Sequence, residues 1–326
     1  MLLELLAILA GFVLIIWAAD RLVEGAGASA RHLGVPTLTV GLTVVALGTS
    51  APEILTAGIA AGRGHADLGI GNAIGSNIAN IGLILGVTAL VLPMQLSSAT
   101  LRRELPLLTL VTLLVVLLLL PGTLGPLQAL ALLALLAGSL FWMTRIARDP
   151  QRRDPLVADY AEQLPEAMGR AAAAFWLVAG LALLLLASHV LVWGAAGMAE
   201  RFGVSDLLIG LTVIALGTSL PELATCIAAV LKRRPDIAVG SILGSNLFNL
   251  VAVLPLPALI APGALPAEVL KRDLPVMLGF TLLVVVVARG FRRPGQINRW
   301  EGGLLLGLFL AYLTLLATGI AGKPTA

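Results

Sequence analysis

Polar residues in this chain come in short clusters, separated by long runs of Leu, Ala, Val and Gly. The runs 105–121 and 124–144 contain no charged residue, and a helix needs roughly 20 apolar residues to cross a bilayer. Reading hydropathy together with the polar breaks predicts ten spans. They lie near 2–24, 36–61, 67–93, 104–121, 124–145, 171–198, 205–231, 236–261, 273–289 and 301–320. A membrane barrel would instead show short segments of alternating polarity. The expected fold is therefore an all-α polytopic membrane protein. Residues 2–19 have the length of a signal peptide, but Glu4 stands where a basic segment belongs. The stretch reads as the first retained span.

Composition agrees. Of 326 residues, 59% are hydrophobic and 12% charged, and the mean hydropathy is +1.00, whereas soluble domains carry about 25% charged residues. The net charge of +3 names no partner, and no basic tract with interleaved aromatics points to nucleic acid. Cys226 is the single cysteine, so it forms no intrachain disulfide and reads as a small packed hydrophobe. Where the charges fall is more informative than their sum. With the N-terminus outside, the inner loops collect Arg31, Arg102, Arg103, Arg145, Arg148, Arg152, Arg153, Arg170, Lys232 to Arg234, Arg289, Arg292, Arg293 and Arg299. The outer loops keep only Arg63, Arg201, Lys271, Arg272 and Lys323. The positive-inside rule then puts both termini outside.

Sliding residue 41 onto residue 210 lays GLTVVALGTSAPE (41–53) on GLTVIALGTSLPE (210–222) without a gap. In the same register GNAIGSNIAN (71–80) meets GSILGSNLFN (240–249), and LRRELP (101–106) meets LKRDLP (270–275). The chain is an internal duplication. The repeat unit holds five spans, an odd number, so the second copy crosses the membrane in the opposite sense. The nearly neutral turn 62–65 accordingly corresponds to the basic turn 231–234. The expected organisation is a first five-helix repeat over 1–146, a cytoplasmic linker over 147–169 and a second, inverted repeat over 170–326. Inverted repeats are the layout of secondary transporters, whose sites sit at the midplane where broken helices meet.

The duplicated motifs supply the chemistry. Pro52 lacks an N–H and its ring clashes with the carbonyl four residues back, at Gly48; Pro221 does the same to Gly217. Both helices should break at membrane depth, which is tolerated where the break lines a watery cavity or binds an ion. Thr49 and Glu53 share a helix face, as do Thr218 and Glu222, and Ser50 and Ser219 can turn toward the same cavity at the break. In the next span Ser76 and Asn80 are four apart, as are Ser245 and Asn249. Asn77 and Asn246 sit one step along and serve helix contacts in this reading. Gly71/Gly75 and Gly240/Gly244 have the spacing that lets helices approach closely, bringing the Ser/Asn face against the break. The inventory is all oxygen, without Cys or His. That suits a hard cation, and its number and looseness suit Ca²⁺ better than Mg²⁺ or Zn²⁺. Two carboxylates balance one Ca²⁺ or two Na⁺, so a further Na⁺ would make exchange electrogenic.

At these residues the chain resembles the sodium/calcium exchanger family of the cation/calcium antiporters, in its prokaryotic form. Its signature repeats look like 41–86 and 210–255 here. The resemblance implies Glu53 and Glu222 as central ligands, with hydroxyl or carbonyl oxygens from Thr49, Ser50, Thr218 and Ser219. Ser76, Asn80, Ser245 and Asn249 would face them, and Ala46 and Ala215 would offer backbone carbonyls. It further implies antiport of Na⁺ against Ca²⁺ by alternating access, with no enzymatic activity and no cofactor beyond the transported ions. Some relatives carry an acid where this chain has Asn249, which argues against K⁺ co-transport here. A Ca²⁺/H⁺ antiporter is the alternative within transport. A cation channel is the alternative of another class, although channels usually build selectivity rings from several subunits and one chain here carries both halves. A membrane hydrolase fares worse, because Ser50 and Ser219 lack both a neighbouring base and the G-x-S-x-G elbow. The expected setting is the cytoplasmic membrane of a prokaryote, and a monomer is compatible with it.

Other polar residues take structural readings. Asp20, Arg21 and Glu24 form an interfacial charge cluster at the inner end of the first span, with gating as the functional alternative. His189, the repeat partner of Asp20, reads as a packing residue. His32 and His65 lack metal spacing, and Trp17, Trp142, Trp176, Trp193 and Trp300 read as interfacial anchors. The mixed-charge stretch 145–170 reads as a solvated linker without EF-hand spacing.

Overall fold

The computed structural model describes residues 1–35, 37–96, 100–147, 168–201, 215–289 and 295–321. Twelve helices run through the described residues. They are α1 (Leu2–Leu33), α2 (37–49), α3 (Ala51–Gly62), α4 (Ala66–Val91), α5 (Leu105–Leu119), α6 (Pro126–Ala147), α7 (Arg170–Arg201), α8 (Ala215–Thr218), α9 (Leu220–Leu231), α10 (Pro235–Ile260), α11 (Leu274–Arg289) and α12 (Arg299–Ala321). Four two-residue strands join them: β1 (Met94–Gln95), β2 (Thr123–Leu124), β3 (Gly263–Ala264) and β4 (Gln296–Ile297). Seven helical stretches among the described residues are long and apolar enough to cross a membrane. Their outward faces are apolar too, with Leu9, Val13, Ile16, Val178 and Leu127 all exposed. Such a surface is stable against lipid rather than water. The protein is a multi-pass helical membrane protein.

α1 runs past its expected end. The charges at Asp20, Arg21 and Glu24 suggested a terminus near 24, but the helix continues to Leu33 and stops where Gly34 takes a left-handed φ of 65°. The added turns, GAGASA, are almost entirely buried, so packing of small residues carries the helix on after hydropathy fails.

The duplication is visible as a pseudo-two-fold arrangement. α1 and α7 pack antiparallel. A Cβ built at Gly11 would lie 2.7 Å from Leu191 Cβ, and one at Gly180, its counterpart, 2.8 Å from Leu22 N. Likewise Gly25 abuts Leu177 and Gly194 abuts Glu4 and Ile8. Each pair of contacts repeats with the roles of the helices exchanged, as an axis between two equivalent elements requires. Without a hydrophobic drive in lipid, such small-residue approach is what holds helices together. The strands obey the same symmetry. β1 pairs with β4 and β2 with β3, both antiparallel, with Met94 opposite Ile297 and Leu124 opposite Gly263. Each ribbon joins one half to the other.

Both GTSxPE segments break where proline demands it. α2 stops at Thr49 and α3 starts at Ala51, with Ser50 between them at φ −81°, ψ 4°. Ser219 separates α8 from α9 at φ −89°, ψ −1°. In α4 and α10 the helix widens to π geometry over Asn80–Leu85 and Asn249–Val253. In both repeats the extra residue thus enters at the motif asparagine, as π-turns often do beside functional groups.

Candidate functional site

The two breaks and the two π-turns converge. Glu53 and Glu222 are each only 2% exposed, and Thr49, Ser50, Ser76, Asn80, Ser219, Ser245 and Asn249 are buried with them. Thr218 is half-buried. The halves serve each other. Thr218 of the second repeat reaches the Glu53 carboxyl, while Thr49 and Ser50 of the first stand beside that of Glu222. Across the axis, Asn80 Nδ2 donates to Asn246 Oδ1 at 3.1 Å.

α10 is brought in by its glycines. A Cβ at Gly240 would stand 2.7 Å from Leu38 O, and one at Gly244 would meet Leu42 O and lie 2.6 Å from Ala46 Cβ. The expected close approach therefore forms between α10 and α2. At Gly71 and Gly75 no described atom lies within 4 Å of a Cβ, and the equivalent approach would be to a segment that the described residues do not cover. The sequence counterpart of α2's first part falls within 202–214, outside the described residues.

Several buried oxygens at this junction complete no hydrogen bond: Ser50 Oγ, Glu53 Oε2, Asn77 Oδ1, Glu222 Oε2, Ser245 Oγ and Asn249 Oδ1. Buried polar atoms rarely go unpaired, and two buried carboxylates without a basic partner cost several kcal/mol each as a rough scale. Lone pairs without donors are what a hard cation replaces. Among the described residues no group of three His, Cys, Asp or Glu forms, so the anionic charge of the junction is that of the glutamate pair.

The expected ligands are not equal. Ala46 O already accepts the Ser50 N–H at 3.0 Å and Thr49 Oγ1 at 3.3 Å, so its carbonyl is engaged here. Ala215 opens α8, and its side chain lies outside the described residues. Asn246 does more than make helix contacts, since it holds the Asn80 amide. Three further polar groups escaped the sequence reading. Asn72 Nδ2 donates to Glu53 O at 3.5 Å; its repeat counterpart is Ser241, so the repeat pattern did not mark it. Ser188 Oγ donates to Gly217 O at 2.9 Å, capping the carbonyl freed by Pro221, but its counterpart is Ala19. Ser241 lies fully buried in α10; its counterpart Asn72 differs in kind, so no signal was available.

Comparison with known proteins agrees with this geometry. The family described as "Sodium/calcium exchanger protein" matches residues 3–145 and again 172–318. An Alkalimonas amylolytica protein bearing the antiporter name CaxA is 45% identical over 97% of this chain and 99% of its own. Inner membrane protein YrbG of Escherichia coli (strain K12) is 42% identical over 97% of each. The sodium/calcium exchanger MaX1 of Methanosarcina acetivorans is 32% identical over 95% of this chain and 97% of its own. Among solved structures, the sodium-calcium exchanger NCX_Mj soaked with 100 mM Na⁺ and 10 mM Sr²⁺ superposes with a TM-score of 0.82 at 30% identity, covering 99% of each chain.

Proposed function

This chain belongs to the sodium/calcium exchanger family, a family of cation/calcium antiporters rather than enzymes, and from that premise we propose that it exchanges Na⁺ for Ca²⁺ by alternating access. The observation that carries the proposal is the pair of buried glutamates facing each other across the repeat axis amid unpaired oxygens. Glu53 and Glu222 hold the divalent charge. Thr49, Ser50, Thr218, Ser219, Ser76, Asn80, Ser245 and Asn249 complete a loose shell of neutral oxygens, which Ca²⁺ accepts and Mg²⁺ does not. Ala46 joins through its carbonyl when Thr49 turns away, and Ala215 is its repeat counterpart. Ca²⁺ and Na⁺ are alternative substrates of one negative site. One Ca²⁺ or two Na⁺ neutralise it, and a third Na⁺ leaves the loaded site with a net positive charge.

The chain crosses the membrane ten times as two inverted five-helix units, 1–146 and 170–326, with 147–169 and the other basic loops inside and both termini outside. The π-turns over Thr100–Glu104 and Val269–Asp273 lead into α5 and α11, lengthening those two shorter helices toward a full crossing. Asn at both 80 and 249 leaves the site without a third acid, so K⁺ is not required.

The test is ⁴⁵Ca²⁺ uptake by proteoliposomes loaded with Na⁺ and diluted into Na⁺-free buffer. Uptake should need internal Na⁺, ignore K⁺, and rise when a K⁺/valinomycin potential makes the interior positive, because excess Na⁺ charge leaves. Uptake indifferent to Na⁺ but driven by an acidic interior would assign the protein to proton-coupled exchange instead.

A further inference from the structure

The two ends of the molecule are not equivalent. At one, α1 is tied to the turn between α9 and α10. Lys232 Nζ sits 2.7 Å from Asp20 Oδ1 and 2.8 Å from Glu24 Oε1, and Arg21 Nη1 braces Glu24 at 2.8 Å. Arg234 Nη1 donates to Val23 O at 2.7 Å, and its guanidinium lies where a side chain at Gly27 would have to go. Burial and the like charge of Arg31 weaken Arg234's hold on its proton, while Glu24 opposes them. Glu24 thus faces cations on more than one side. The turn itself carries strain, because Arg233 is the one non-glycine residue at positive φ (56°) among those described.

At the other end the repeat places the turn 62–65 between α3 and α4. All four of its residues are exposed. No described atom comes within 4 Å of a Cβ at Gly62 or Gly64. The α7 positions equivalent to the tied residues of α1 carry other residue types. Lys232 corresponds to Arg63, but Asp20 corresponds to His189 and Glu24 to Trp193. Neither offers a carboxylate. The counterpart of Gly27 is Ala196, and that of Arg234 is His65.

We propose that Asp20, Glu24 and Lys232 form a one-sided ionic latch, holding the mouth at the Lys232 end shut and biasing the resting protein toward the conformation open at the Arg63 end. The proposal rests on alternating access as read above. α1 and α7 are welded to each other by glycine contacts along their length, so they move as a pair. A tie between α1 and the Lys232 turn therefore restrains the whole pair. The groups are partly exposed, so the restraint is modest and sensitive to salt. That is what a transporter needs if both conformations are to be visited in each cycle.

The test uses the full chain in nanodiscs with Cys226→Ala and spin labels on Leu33→Cys and Arg233→Cys, two exposed positions flanking the latch. The distance distribution should be short and narrow. Asp20→Asn with Glu24→Gln should raise a longer-distance population about fivefold, and 1 M salt should do the same to the unsubstituted latch. In vesicles the neutralised variant should gain apparent Ca²⁺ affinity about fivefold from the Lys232 face and change less than about twofold from the other. A folded neutralised variant with an unaltered distribution would overturn the latch, as would an unsubstituted protein whose distribution ignores 1 M salt. The spectroscopic result needs no transport, so a latch that holds in a protein lacking Na⁺ coupling would count against the exchange reading alone.

Discussion

At the scale of single residues, the site separates charge from shape. Glu53 and Glu222 are buried to the same degree, and each is approached by hydroxyls of the opposite repeat. Removing either charge halves the anionic field seen by a divalent ion. Glu53→Gln or Glu222→Gln should lower ⁴⁵Ca²⁺ transport by about 100-fold or more, with an unchanged gel-filtration profile and thermal midpoint. Transport retained in either variant would sink the site assignment. Asn249→Asp puts a third acid where the side-chain oxygen already lacks a donor. Transport in that variant should persist at alkaline pH and decline as the new carboxyl takes up a proton, seen as a pH profile steeper than that of the parent. Ser188→Ala uncaps the Gly217 carbonyl and should destabilise the folded state by roughly 1–3 kcal/mol, read as a lower thermal midpoint in detergent.

At the scale of elements, the breaks need proline and the approach needs glycine. Pro52 and Pro221 end one helix and start the next within a residue, leaving Ser50 and Ser219 in non-helical turns. The close approach is then decided by Gly240 and Gly244, which let α10 touch the backbone of α2. Gly244→Ala drives a methyl into Leu42 O and Ala46, so it should cost about 1–3 kcal/mol and most of the transport. A Gly244→Ala variant that kept the parent's thermal midpoint and uptake would refute this contact. The latch turn gives a further check. Arg233→Gly relieves a left-handed residue and should stabilise the protein by about 1 kcal/mol.

At the scale of the whole molecule, the halves hold each other along the α1–α7 seam and through two ribbons that each take one strand from either repeat. Little of that interface depends on the covalent link. A chain divided within 148–167 and co-expressed as two pieces should therefore reassemble, with a tag on one half recovering the other and most of the Na⁺-dependent uptake intact. Pieces that fail to co-purify would mean that the seam is too weak to act alone. In the same symmetry each half presents a broken helix to the other.

The sequence by itself determined the class of structure, the duplication, the positions of the helix breaks and the two glutamates. The duplication follows from the match of the chain to itself, and the others from local chemistry: apolar run length, a ring without an N–H, a carboxylate too costly to bury without a purpose. It also showed the polar cluster on α1, without showing its partner. The end of α1 was misplaced because the chain packs small residues there that hydropathy scores poorly. Asn72, Ser188 and the role of Asn246 stayed hidden because their partners are remote in sequence or broken in repeat symmetry. Where the Gly240/Gly244 pair closes, and which cation meets the carboxylates of α1, only the tertiary structure decided. The sequence already distinguishes the halves where counterparts differ, as at Asp20 and His189, but contacts between residues remote in the chain arise only when both halves are packed into a single conformation.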